Sequence, residues 1–272
     1  MAITVVFGPP GAGKSCLLVY FAKMIFARRN KILRETQESI TNKKAEGIGK
    51  DLSLPTKAPI FSDFPMTFPA GYDETYTTYF VNGFYLGLPD GESPVMSVPP
   101  NSYIFLSEVQ RYFNSRKSGT FPDRIARFYE MHRHYGLTIY MDIQRPELID
   151  PCIREIAQKF IEIVKLEHDT NDVGKIVRTT WTVREFDSWG EVDRFKKAEK
   201  AKKKTTKYVF EGNIFKYYNS FSYFDTFLPQ GVERGADFKL YEHVKNFDDP
   251  IYRISEPKGY RSKADGGKDK KK

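Results

Sequence analysis

Ile3-Thr4-Val5-Val6-Phe7 leads without interruption into Gly8-Pro9-Pro10-Gly11-Ala12-Gly13-Lys14-Ser15. An apolar, β-branched run thus feeds a full G-x-x-x-x-G-K-S phosphate-binding loop in the expected context of strand, loop and helix. The glycines allow backbone angles that a Cβ would resist, so successive N–H groups can curl round a phosphate. Lys14 brings a point charge to the β- and γ-phosphates, and the Ser15 hydroxyl is placed to bind Mg2+. Cys16-Leu17-Leu18-Val19-Tyr20-Phe21-Ala22 continues as an apolar helix whose N-terminal dipole adds to the anion site. The candidate nucleotide contacts are therefore Gly8, Pro9, Pro10, Gly11, Ala12, Gly13, Lys14, Ser15 and Cys16.

Working outward, the first helix is expected from Lys14 to about Arg29. Residues 30–58 are polar and charged, and read as further helix or a mobile excursion. Residues 59–64, 102–108, 137–144 and 159–166 read as buried strands, with helices at 122–135 and 150–158 between them. Residues 65–101 are rich in Gly, Pro, Tyr and Phe without a clear period, and are expected to form surface hairpins or loops. Residues 175–186 and 208–218 look like paired strands around a Lys-rich segment. Alternating strands and helices imply an α/β fold, a parallel sheet covered by helices on both faces. The organisation expected is a core over residues 1–170, a β-rich elaboration of the same domain over 171–230, and a polar, partly disordered extension over 231–272. A ligand then sits at the carboxyl ends of the strands.

Two strand ends there carry polar groups. Ser107-Glu108 follows an apolar strand, where an acid commonly organises Mg2+ and a following Glu polarises the attacking water. Glu108 suits the second role. Ser107 replaces the acid, and its hydroxyl can hold a Mg2+-bound water but supplies no charge. Gln144 ends the 137–144 strand, where a neutral amide can sense the γ-phosphate and orient water. Asp142 lies two residues earlier, on the same strand face as Gln144. It either compensates for the acid missing at 107 or is a structural Asp, the reading preferred on sequence. Among several arginines between the strands, Arg116 and Arg133 are the candidates for a charge supplied to a neighbouring subunit's transition state. His132 and His134 flank Arg133 without the further ligands a metal pair needs.

The chain has 272 residues, 40% of them hydrophobic and 15% aromatic, which suits one large domain with elaborations. Two cysteines, Cys16 and Cys152, give neither a disulfide framework nor a metal pattern, as expected of a reducing compartment. No signal peptide is read at the start, and no stretch approaches the ~20 apolar residues of a membrane span. The net charge of +8 is uneven, with Lys concentrated in residues 196–207 and at the C-terminus. Such runs attract phosphate backbones or anionic headgroups, or are simply solvated.

Taken in order, these residues resemble the zonular occludens toxin family, the assembly ATPases of filamentous bacteriophages. The likeness rests on the Gly8–Ser15 loop and on Ile104-Phe105-Leu106-Ser107-Glu108-Val109-Gln110. It continues through Phe113-Asn114-Ser115-Arg116, Arg133-His134-Tyr135-Gly136 with the strand to Gln144, and Ile149-Asp150 with Arg154. It ends on Phe215-Lys216-Tyr217-Tyr218-Asn219-Ser220. The resemblance covers roughly residues 1–225. It implies a RecA/FtsK-like, FtsK–HerA-type ATPase, usually a ring of identical subunits. Its implied setting is the host bacterial cytoplasm, at the cytoplasmic face of the inner membrane, where single-stranded phage DNA is extruded as coat protein assembles on it. ATP and Mg2+ are the implied cofactors. Coat protein, membrane export components and a peripheral membrane contact are the implied partners. Members commonly continue into one membrane-spanning helix, which is not read here, so the chain is expected to be a cytoplasmic domain or a soluble relative. Three functions compete. One is a motor ATPase. Another is a nucleotide-gated scaffold with slow or no turnover, motivated by Ser107. The third is a small-molecule kinase, disfavoured by the single strand-end Glu.

Overall fold

The computed structural model describes residues 1–45, 59–71, 74–80, 98, 100–111, 113, 114 and 123–218. The elements in chain order are β1 (Ile3–Phe7), α1 (Lys14–Ala45), β2 (Ile60–Ser62), β3 (Thr67–Gly71), β4 (Glu74–Thr77) and β5 (Tyr79–Phe80). They continue with β6 (Tyr103–Leu106), α2 (Asp123–Glu130), β7 (Thr138–Ile143), α3 (Pro151–Ile156), β8 (Lys159–Thr170), β9 (Ile176–Phe186), α4 (Trp189–Lys196) and β10 (Lys204–Glu211).

Eight strands form one sheet in the order β10-β9-β8-β1-β7-β6-β2-β5. From β8 to β5 every neighbouring pair is parallel, whereas β8, β9 and β10 pair antiparallel. The fold is therefore α/β with a mostly parallel central sheet, as the alternation of strands and helices predicts.

Strand alternation divides the core in two. Ile3, Val5 and Phe7 of β1, with Ile139, Met141 and Ile143 of β7, face α2, α3 and α4. Val6 of β1, Phe105 of β6 and Ile161 of β8 face α1. Leu18, Ala22 and Phe26 recur every four residues along α1 and are buried there. Each large side chain so buried contributes about 1.5–3 kcal/mol. A layer of rings fills the α1 side of the sheet: Phe105 stacks on Tyr140 at 5.0 Å and Tyr140 on Phe21 at 5.2 Å.

Several expectations need correcting. Of the two readings left open for residues 30–58, the helix holds as far as Ala45, continuous with the first helix rather than ending near Arg29. The polar pattern beyond Arg29 is the solvated face of a continuing helix, with Ile40 still buried. The expected hairpin is present as β3–β4, but it is not confined to the surface. The β3–β4 hairpin seats Phe68 and Met66 against α1 with no exposure, and β5 extends the parallel sheet. Strand β8 continues past Leu166 to Thr170 because β9 pairs with it along its length. The last strand ends at Glu211, and Ile214–Tyr217 is a 3-10 turn that packs Ile214 and Tyr217 under α1. Residues 81–97, Asn219-Ser220 and the extension 231–272 lie outside the described residues.

At the amino end of the parallel sheet, β6 and β7 are joined by a tight clasp. Asn101, at φ 62°, donates its N–H to the Tyr135 carbonyl at 2.8 Å. Gly136, at φ 71°, lies so close that a Cβ there would come within 2.1 Å of Asn101 Oδ1.

Candidate functional site

The Gly8–Ser15 loop closes over the carboxyl end of β1. Gly13 has φ +81°, a backbone angle that demands glycine, and a Cβ there would press on Leu166 Cδ2 at 2.6 Å. Leu166 and Trp181 come from the β8–β9 hairpin, whose inner face braces the loop from behind. The Trp181 indole N–H donates to the Gly13 carbonyl at 3.3 Å. Lys14 is buried, and its ammonium folds back onto the Pro9 carbonyl at 3.0 Å, inside the loop it is expected to serve.

Ser15 lies in the first turn of α1, below the loop. Its hydroxyl donates to Asp142 Oδ2 at 2.9 Å and lies 3.3 Å from the Ser107 hydroxyl. Ser107 Oγ donates to the same Asp142 oxygen at 3.1 Å, and the Glu108 N–H donates to Asp142 Oδ1 at 2.8 Å. These contacts follow from the strand order. Strand β7 lies between β1 and β6, so its carboxyl end stands between Ser15 and Ser107. Asp142 has no solvent exposure. Burial pushes its carboxyl above the ordinary range, opposed by the Glu108 N–H, the Ser15 hydroxyl, the Lys14 charge and the Ser107 hydroxyl. The convergence is compatible with both sequence readings of Asp142, the structural one and the one that compensates for the acid absent at 107. The alternation that put Asp142 and Gln144 on one strand face was the available signal.

A second buried acid supports the first. Asp63, just after β2, accepts the Ser107 N–H with both oxygens, at 2.8 and 3.0 Å. Arg111 reaches the Ser107 carbonyl at 3.1 Å and Asp63 at 3.8 Å. Glu108 is thereby held at φ 48°, a left-handed conformation that costs a non-glycine residue of order 1 kcal/mol or more. Its side chain is exposed at the mouth of the site. Gln144 directly follows β7 and is half-buried at the same end of the sheet. Cys16 lies beneath the loop, its thiol pushed up to about 12 by burial although Tyr218 hydrogen-bonds it.

Lys14, Ser15, Ser107, Glu108 and Gln144 are thus brought to one end of the sheet, joined there by Asp142. Arg133 is not. It is exposed in the turn before β7, at the opposite end of that strand from Gln144. Arg116 lies outside the described residues. His132 is buried, with Nδ1 on the Tyr129 carbonyl. Among the described residues no group of three His, Cys, Asp or Glu side chains can cage a metal. The oxygens of Ser15, Ser107 and Asp142 are hard donors that suit Mg2+, which is usually bound by one or two protein groups together with substrate phosphates and water.

The Lys-rich segment is partly neutralised within the chain. Lys196 pairs with Glu147, Lys197 with Asp193 at 2.7 Å, and the Lys203 ammonium sits 4.1 Å from the Phe195 ring centre. No helix among the described residues is long and apolar enough to cross a membrane.

The family model for zonular occludens toxin (Zot) matches residues 92–223. Among solved structures, the N-terminal domain of zonular occludens toxin from Neisseria meningitidis is similar at a TM-score of 0.44 and 16% identity, over 80% of this chain and 98% of that one. The genome packaging NTPase B204 from Sulfolobus turreted icosahedral virus 2, in complex with ATP-gammaS, gives a TM-score of 0.41 and 12% identity, over 75% of this chain and 95% of that one. Its complex with AMP gives 0.39 and 11%, over 75% and 96%. No curated protein matches the chain.

Proposed function

We propose that this chain, a P-loop NTPase of the Zot family, hydrolyses ATP as the motor of filamentous phage assembly, driving single-stranded DNA extrusion and virion secretion at the inner membrane. The observation that carries the reading is the convergence of Lys14 and Ser15 with the carboxyl ends of β6 and β7. That is where an α/β sheet receives its ligand.

In this reading the loop amides from Gly8 to Cys16 cradle the phosphates, and Lys14 moves from the Pro9 carbonyl to the β- and γ-phosphates. Ser15 and Ser107 would hold Mg2+, which when bound would offset charge on the phosphate oxygens. Glu108, exposed at the mouth, polarises the water that attacks the γ-phosphorus and takes its proton. Gln144 orients that water. Arg133 is too far along β7 to serve its own loop, so it acts on a neighbouring copy in a ring. Lys residues of 196–207 that are not paired within the chain contact DNA or an anionic membrane surface. Coat protein and membrane export components are the partners this reading requires, at the cytoplasmic face of the host membrane.

Ser107 in place of an acid favours a second reading, a nucleotide-gated scaffold that turns over slowly and recruits those partners. Steady-state ATP hydrolysis across a protein concentration series, with and without circular single-stranded DNA and beside Lys14→Ala, separates the two. Cooperative, DNA-stimulated turnover lost in the variant supports the motor. Nucleotide binding without turnover supports the scaffold.

A further inference from the structure

The geometry points to Asp142 as the acid of the nucleotide site: the carboxylate absent from position 107 at the end of β6 is supplied one strand over, from β7. The inference deepens the proposed nucleotide-binding reading and rests on it.

Three observations carry it. The first is position. Strand β7 is inserted between β1 and β6, with Phe7 level with Ile143 and Leu106 level with Met141. A residue one place before the end of β7 therefore reaches both Ser15 and Ser107. The second is that Asp142 already organises the groups a cation needs. One oxygen gathers the Ser15 and Ser107 hydroxyls, and the other fixes the backbone N–H of Glu108. The third is cost. A carboxylate with no solvent exposure, whose hydrogen-bond partners among the described residues are neutral, is expensive where the same face of the strand otherwise carries the ring of Tyr140. A purely structural role would be met more cheaply by an apolar residue. A cation held against Asp142 adds to the Lys14 charge in compensating the buried carboxylate.

The division of labour differs from the sequence expectation in one respect. Ser107 is a neutral companion whose hydroxyl is held by Asp142, and the negative charge comes from β7. Asp142 also sets the Glu108 backbone, so the acid that meets the cation and the residue that meets water are coupled through a 2.8 Å bond.

The test is the magnesium dependence of nucleotide affinity, read with a fluorescent ATP analogue in Mg2+ and in EDTA. The proteins compared are the wild type, Asp142→Asn, and Asp142→Asn combined with Ser107→Asp. Asp142→Asn keeps the side chain's shape, and thermal unfolding verifies the fold of each variant. The expected result is at least tenfold tightening by Mg2+ in the wild type, little in Asp142→Asn, and recovery in the double variant. Recovery distinguishes a charge requirement from a packing role. Undiminished tightening in Asp142→Asn overturns the inference while leaving the nucleotide reading intact, as does loss without recovery in a folded double variant. A wild type that binds no nucleotide in either condition overturns both.

Discussion

Trp181 holds Gly13: the indole N–H of one donates to the carbonyl of the other at 3.3 Å, with Leu166 packed beside them. The phosphate loop is thus braced by the antiparallel hairpin on its flank as well as by its own turn. Trp181→Phe keeps the ring and removes the donor. A hydrogen bond of ~1 kcal/mol corresponds to about fivefold in affinity. Calorimetric titration of Trp181→Phe with an ATP analogue should show a loss of that order, with the fold retained. Unaltered affinity would mean that packing alone sets the loop.

The buried pair of oxygens on Asp63 makes a sharper stability prediction. Asp63→Ala leaves the Ser107 N–H without its partner inside the protein. An orphaned buried donor costs about 1–3 kcal/mol. Denaturant unfolding should register a loss in that range, and ATP turnover should fall with it because Glu108 is next in the chain. Asp63→Asn, which retains one acceptor oxygen, should lose less of both.

The cysteines give a check on packing that needs no nucleotide. Cys16 is buried with its thiol pushed up to about 12, while Cys152 is exposed. Thiolates are the reactive form. Iodoacetamide at about pH 8 should label one site per native chain, at Cys152, and both after denaturation. Rapid native labelling of Cys16 would show that the floor of the loop opens.

Acid should loosen the three-strand flank. Burial raises the Glu185 carboxyl, but hydrogen bonds from Tyr208 and Lys159 outweigh it and leave the group below its ordinary 4.5. Lys159 sits 2.9 Å away on β8. A depressed carboxylate contributes stability above its unfolded value, and that contribution disappears as pH falls through the folded one. Melting curves below pH 4.5 should therefore steepen their decline relative to Glu185→Gln, which should flatten the dependence in that window. Parallel pH curves would remove Glu185 from the account.

The parts of the molecule written in local sequence were legible. Strand β1, the loop and the β-branched runs that became β6, β7 and β8 were each readable because apolar residues bounded by Gly, Pro or a polar strand end leave few alternatives. Helix α1 was underestimated because its continuation past Arg29 is polar, and a solvated helix carries no apolar period to read. The hairpin carrying Phe68 was expected at the surface because only the tertiary position of α1 gives Met66 and Phe68 something to cover. Asp142 was visible, but the choice between its two readings was not. Alternation placed it on the right face of its strand. That the strand would lie between β1 and β6 is a property of sheet order, which no local pattern encodes. Trp181 was missed for the same reason: its partner Gly13 is distant in the chain and adjacent only once β8 and β9 pair.

The clasp of Asn101 against Tyr135 and Gly136 lies at the far end of β6 and β7 from the proposed site, yet it bears on how the strands that build that site are aligned. Side chains along a strand alternate in direction, so sliding β7 by one residue would turn Asp142 toward the opposite layer and bring Met141 or Ile143 toward Ser15. The two left-handed residues lie against each other in the observed alignment, held by the Asn101 N–H on the Tyr135 carbonyl. They work like the notch of a vernier, set at one end of the scale so that the marks coincide at the other. Substitutions at Asn101 or Gly136 would be read in an activity screen as active-site lesions, although they touch nothing that touches nucleotide.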